Sequence, residues 1–292
     1  MNRIISIDVF RGVTMFLMLW VNDFWTLNSI PKWLKHAISG EDYLGFSDLI
    51  FPWFLFAIGL SIPFAFESRF LKGEDNITTG KHILLRTTAL LVMGLFHMNM
   101  EMYNHQLSII SKPIFVIIST LAFFMIWNDY SGLKGKNDIF YKLLPFLGVA
   151  VLIIMFFIYR GQDYDGNAVG FRIHWWGILG LIGWVYNITA WTYFAFKKSI
   201  VAMSIAFFIC MILNFMDSSD ISYAIFSWQR ADWIPGSGGL QALSFGGIIT
   251  SLFLIRYKDD IRTLYGVLSL VGLLSLFSGL FLRKYFIISK IA

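Results

Sequence analysis

Nine apolar runs, each close to the length that crosses a bilayer as a helix, divide this chain, and the charged residues cluster between the runs and at their ends instead of spreading along them. The runs are 8–26, 49–67, 84–102, 113–128, 143–160, 175–196, 199–215, 240–255 and 264–282. A water-soluble core needs polar faces recurring at helical or strand period, and most of these runs have none. Only 14% of the 292 residues are charged, whereas soluble domains carry about 25%. The pattern predicts an all-α, polytopic transmembrane helix bundle of about nine spans, forming a single domain over 1–292 and partnered by the lipid bilayer.

The formal charge of +5 does not describe a nucleic-acid protein, because the 23 Lys and Arg are scattered over the inter-span loops. They read instead as topology signals. With the N-terminus placed in the cytoplasm, 14 of them fall on the cytoplasmic side and 9 on the other, which favours that orientation by the positive-inside rule. Met1-Asn2-Arg3 resembles the start of a signal peptide, but Asp8 and Arg11 interrupt the run and no small-x-small cleavage site follows, so the first span is expected to be retained. His36, His97, His105 and His174 then lie outside, in loops that also carry Trp33, Trp175, Trp176, Trp228 and Trp233. An interfacial aromatic belt accounts for most of these tryptophans, and a carbohydrate-stacking platform is the minority reading. Cys210 is the single cysteine, so no intrachain disulfide or two-cysteine metal motif can form.

In the first span Asp8, Arg11, Met15, Met18 and Asn22 recur at spacings of three and four, which puts them on one helical face. Such a face is expected to turn into the bundle, with Asp8 and Arg11 near the cytoplasmic end and Asn22 near the outer end. About 16 Å of helix rise separates Arg11 from Asn22. An ion pair anchoring the helix at the headgroups explains Asp8 and Arg11 equally well. His36 follows in the next loop, and an imidazole titrating near neutrality suits general-base chemistry. Asp48, at the start of the second span, either orients that imidazole or caps the helix. The eight later spans hold no mid-span Asp, Glu, Lys or Arg, which counts against a coupled carrier. No phosphate-loop, zinc-protease or serine-hydrolase motif occurs. Gly236-Ser237-Gly238-Gly239 reads as a loop.

Four motifs in order, Ser6-Ile7-Asp8-Val9-Phe10-Arg11-Gly12, Val21-Asn22, Lys35-His36-Ala37 and the run from Gly45 through Ser47-Asp48-Leu49-Ile50-Phe51-Pro52-Trp53 to Gly59, resemble the heparan-α-glucosaminide N-acetyltransferase family. The resemblance implies transmembrane acetylation, with acetyl-CoA supplied from the cytosol as co-substrate and a sugar or glycan amine or hydroxyl as acceptor on the far side. It matches the family's catalytic histidine to His36 and its essential asparagine to Asn22. Asp48 is expected to complete the catalytic set. Asp8, Arg11, Met15 and Met18 are expected to hold the nucleotide and its arm, with no metal and no nucleic acid involved. A homodimer is expected by analogy alone, and a bacterial inner membrane by likeness to bacterial relatives. Ile38–Leu44 is longer and more acidic than the tryptophan-glycine turn of the human-type motif, and further spans are expected after Ala292. The competing reading is a non-catalytic membrane protein, either a small-solute permease or a truncated scaffold.

Overall fold

The computed structural model describes residues 4–38, 40–130, 138–163, 165–175, 177–218 and 237–285. Trp176, Trp228, Trp233 and Gly236 lie outside the described residues. Within them run nine helices: α1 Ile5–Asn22, α2 Phe46–Leu71, α3 Asn76–Glu101, α4 Lys112–Trp127, α5 Asp138–Ile158, α6 Ile178–Phe196, α7 Ile200–Ser218, α8 Gly239–Arg256 and α9 Ile261–Leu282. One helix underlies each apolar run. Eight are long and apolar enough to cross a membrane. The exception, α4, has 16 residues and rises about 24 Å, short of the ~30 Å hydrocarbon core. Two-residue strands, β1 Gly161–Gln162 and β2 Ala168–Val169, pair antiparallel and are the only sheet among the described residues. The chain is an all-α polytopic integral membrane protein.

The helices outrun the apolar signal where capping takes over from hydropathy. α3 begins at Asn76 rather than at the expected 84, because Asp75 caps a polar first turn. Its Oδ1 accepts the Thr78 N–H at 2.9 Å and its carbonyl accepts the Thr79 N–H at 3.0 Å. Conversely α1 stops at Asn22, four residues short of expectation, where Asp23–Trp25 tightens into a 3₁₀ turn.

The chain forms two compact units, one from 1–84 with 184–292 and one from 85–183. In the first, α2 and α8 make the most extensive helix pair. Glycine lets their backbones touch: a Cβ on Gly59 would stand 1.9 Å from the Ser244 carbonyl oxygen, and one on Gly247 would stand 2.2 Å from that of Phe56. Small residues at such crossings are how apolar helices gain contact when lipid is as apolar as they are. Pro63 has no N–H to donate to the Gly59 carbonyl. One residue on, Ser251 of α8 donates to the Leu60 carbonyl at 2.6 Å. α1 packs on α2, and the residues it buries are Ile7, Thr14 and Val21. By contrast α9 buries only Leu264, and its exposed Leu and Phe side chains are what a bilayer solvates.

In the second unit an aromatic core of Phe96, Tyr103, Phe115, Phe123 and Tyr159 joins α3, α4 and the end of α5. Asn99 seals it. Its Nδ2 donates to the Arg172 carbonyl at 2.8 Å, its Oδ1 accepts the Arg172 N–H at 3.0 Å, and its own carbonyl accepts the Tyr159 hydroxyl at 2.8 Å.

Candidate active site

The loop between α1 and α2 folds onto the N-terminus of α2. Three interactions hold it there. A Cβ on Gly45 would lie 1.8 Å from the Lys35 carbonyl oxygen, so only glycine lets the Lys35–Ala37 segment lie this close to the helix start. The Ser47 hydroxyl donates to the Leu34 carbonyl. Beneath them Val21, Phe24 and Ile50 form an apolar cluster, against which Met18, Leu34 and Phe46 pack.

This folding brings His36 to Asp48. His36 Nδ1 lies 2.8 Å from Asp48 Oδ1. The other carboxylate oxygen, Oδ2, accepts the Ala37 N–H at 2.8 Å and the Gly45 N–H at 3.0 Å. The Asp48 side chain is 2% exposed and is held in place by these backbone donors, which is what makes a buried polar group tolerable. The two roles open for Asp48 in the sequence are both present: it caps α2 from the third helical position and it bonds the imidazole. A carboxylate accepting from Nδ1–H fixes the neutral ring in the tautomer whose lone pair is on Nε2.

The remaining candidates do not all gather here. The stripe on α1 is not the face that packs. Ile7, Thr14 and Val21 are buried, whereas Asp8, Arg11 and Met18 are half-buried and Met15 and Asn22 are exposed. At 100° per residue the stripe is rotated about 80° from the packed line. The expectation of an inward-facing polar seam is corrected accordingly: apolar contact with α2, not polarity, sets which face turns in. Asn22 closes α1 one residue after Val21, so it sits at the same end of the helix as the cluster under the dyad. Asp8 and Arg11 lie at the opposite end, and among the five only Met18 belongs to the packing beneath the loop.

Residues that periodicity does not single out complete the site. Gly45 and the Ala37 amide do so through backbone geometry, and the visible signal is a glycine three residues before an aspartate at the head of an apolar run. The two acids just before Gly45, Glu41 and Asp42, are each paired. Lys32 bridges to Glu41 and sits 4.7 Å from the centre of the Tyr43 ring, while Asp42 faces Arg283, beyond the end of α9, at 3.6 Å. The Lys32 hydrogen bond holds the Glu41 carboxyl below its ordinary range, and in return Glu41 raises the Lys32 ammonium. No group of three or more His, Cys, Asp or Glu side chains able to hold a metal ion comes together among the described residues.

Fold and dyad together define a polytopic membrane protein that presents a carboxylate-oriented histidine at one end of its first two helices. No protein-family model matches the chain, and no solved structure does. In part of its sequence it is similar to heparan-α-glucosaminide N-acetyltransferase. It is 31% identical to the mouse protein over 102 residues and 32% identical to the human protein over 101. The matches take in 34% and 33% of this chain but only 14% of the length of each relative.

Proposed function

We propose that the chain is a membrane acyltransferase that moves an acetyl group from acetyl-CoA to an amine or hydroxyl on a sugar, with His36 as general base. The observation that carries this reading is the 2.8 Å pairing of His36 Nδ1 with an Asp48 carboxylate pinned by two amides. The relatives' names supply the reaction class. In this mechanism Nε2 takes the proton from the acceptor as its nitrogen or oxygen bonds to the thioester carbonyl carbon. Collapse of the resulting oxyanion breaks the carbon–sulfur bond, and the imidazolium returns the proton to the departing thiolate. Asp48 keeps the ring oriented and stabilises the imidazolium. Asn22 is assigned the hydrogen bond to the oxyanion, a role commonly worth several kcal/mol. Asp8 and Arg11, at the other end of α1, are assigned to the nucleotide, with Met15 and Met18 along the way.

With the N-terminus inside, as the basic residues favour, the dyad faces the non-cytoplasmic side and the donor arrives from within. A bacterial inner membrane is the setting this reading assumes, and a homodimer is compatible with it. Transfer from radiolabelled acetyl-CoA in proteoliposomes tests it directly. His36→Ala and Asp48→Asn are expected to abolish turnover and Asn22→Ala to lower it by roughly a hundredfold or more. Wild-type turnover in both His36→Ala and Asn22→Ala refutes the assignment.

A further inference from the structure

The loop that carries His36 also carries a tryptophan that the dyad leaves unused. Trp33 is 61% exposed, against 46% for Trp20 and 37% for Trp53. Those two indoles meet other rings edge-on, Trp20 with Phe24 at 4.9 Å and Trp53 with Phe46 at 6.2 Å. Trp127 and Trp191 likewise pack on Phe123 and Phe194. Among the described residues no ring, cation or hydrogen-bond acceptor meets the Trp33 indole. Its surroundings are charged: Lys32 beside it bridges to Glu41, and Lys35 is exposed. Tryptophans that anchor a helix in the headgroup layer sit at the ends of apolar spans. Trp33 instead stands in mid-loop, in a turn of its own between α1, which ends at Asn22, and α2, which begins at Phe46.

The backbone holds this ring in one place. Lys32–Leu34 is a single 3₁₀ turn, closed by the Leu34 N–H on the Pro31 carbonyl at 3.0 Å and the Lys35 N–H on the Lys32 carbonyl at 3.1 Å. Leu34 packs on the Val21, Phe24 and Ile50 cluster, and its carbonyl accepts the Ser47 hydroxyl. Leu34 is therefore the anchor of the turn and Trp33 its outward neighbour. From Trp33 to His36 the chain can span at most about 11 Å, so a ligand lying on the indole is within one or two sugar rings of the imidazole. A flat side chain with two torsions, set on a fixed turn, loses little entropy when a ligand covers it. The C–H face of a pyranose ring is an apolar surface of matching shape, and its rim of hydroxyls suits the polar groups on either side of Trp33.

We infer that Trp33 is the platform on which the acceptor's sugar ring stacks, which makes it a specificity-determining residue for pyranose acceptors over amines and alcohols at large. The inference takes its ligand class from the acyltransferase reading, but stacking needs neither His36 nor acetyl-CoA, so the two are tested apart.

Saturation-transfer NMR of methyl β-glucosaminide with the full chain in nanodiscs measures binding without turnover. Acetyl transfer to the same sugar in proteoliposomes gives the acceptor KM. Wild type and His36→Ala are expected to bind the sugar alike, and Trp33→Ala to weaken binding about tenfold or more, as loss of an aromatic anchor does. In transfer, Trp33→Ala is expected to raise the acceptor KM by the same factor with little change in kcat or in the KM for acetyl-CoA, the mark of binding shared by ground and transition states. Trp33→Tyr, which keeps an aromatic face, should retain most of the binding, and Trp33→Leu, apolar without one, should lose it as alanine does. Melting temperatures of all three variants should match wild type. No sugar binding by wild type, equal binding by wild type and Trp33→Ala, or a change confined to melting temperature overturns the platform. Transfer that His36→Ala still abolishes would then leave the acyltransferase reading standing without it. Binding that depends on Trp33 in a chain that transfers nothing would keep the platform and overturn the acyltransferase.

Discussion

Gly45 bears on the dyad more strongly than its size suggests, since any side chain there collides with the Lys35 carbonyl at 1.8 Å. Both neighbours are backbone, so the collision cannot be relieved by a rotamer change. Gly45→Ala is expected to destabilise by about 1–3 kcal/mol and to pull Ala37 and His36 away from Asp48. His36→Ala should leave the melting temperature nearly unchanged. Comparing the two melting curves in detergent checks this, and a neutral Gly45→Ala would contradict the close approach. The acidic loop makes a pH prediction. Glu41 has its carboxyl lowered from 4.5 by the Lys32 hydrogen bond, so its contribution is present above that value and is lost as pH falls through the lowered one. Lys32 is raised from 10.5, so its share persists until pH climbs through the raised value. Hydrogen exchange of the Ile38, Glu41 and Tyr43 amides should therefore keep constant protection factors across the neutral range and lose protection in acid. Glu41→Gln should show the low protection at every pH.

At the level of elements, the α2–α8 contact and the α9 helix make opposite predictions for one substitution. Gly247→Ala puts a Cβ 2.2 Å from the Phe56 carbonyl oxygen and is expected to cost about 1–3 kcal/mol. Gly272→Ala on α9 meets nothing within 4 Å and is expected to be neutral or to stabilise by up to about 1 kcal/mol through helix propensity. Equal melting shifts for the two would deny the close packing of α2 on α8. The same contrast explains what could be read from the sequence. Every helix was legible as an apolar run, because the bilayer imposes one length and one chemistry on all of them. The first turns of α3 were not, because Asn76–Ile83 is too polar for a hydropathy window and is held by the Asp75 cap. His36 and Asp48 were legible as residues, but their pairing depends on Gly45 meeting Lys35, a contact between backbones that leaves no periodic trace. The α1 stripe lies on one face of the helix, but the buried line is Ile7, Thr14 and Val21, and spacing alone carries no information on which face packs.

For the whole molecule the decisive quantity is sidedness, because a dyad at one end of α2 transfers across the membrane only if the donor is taken up at the other. Within the first unit the helix ends sort consistently. The His36 loop shares its end with Arg283, which pairs with Asp42, and the turns carrying Glu67, Lys198, Asn76 and Lys197 meet at the opposite end. Exposed positions at the two ends, Lys35 and Lys81, can each be changed to cysteine. The native Cys210 is buried and so gives a low background. A membrane-impermeant maleimide applied to sealed right-side-out vesicles is expected to label Lys35→Cys at once and Lys81→Cys only after permeabilisation. The reverse pattern would put His36 and Asp48 on the cytosolic face. Donor and base would then meet without crossing anything, the length of α1 between Arg11 and Asn22 would have no transport role, and the acceptor would have to be a cytosolic molecule rather than an external sugar.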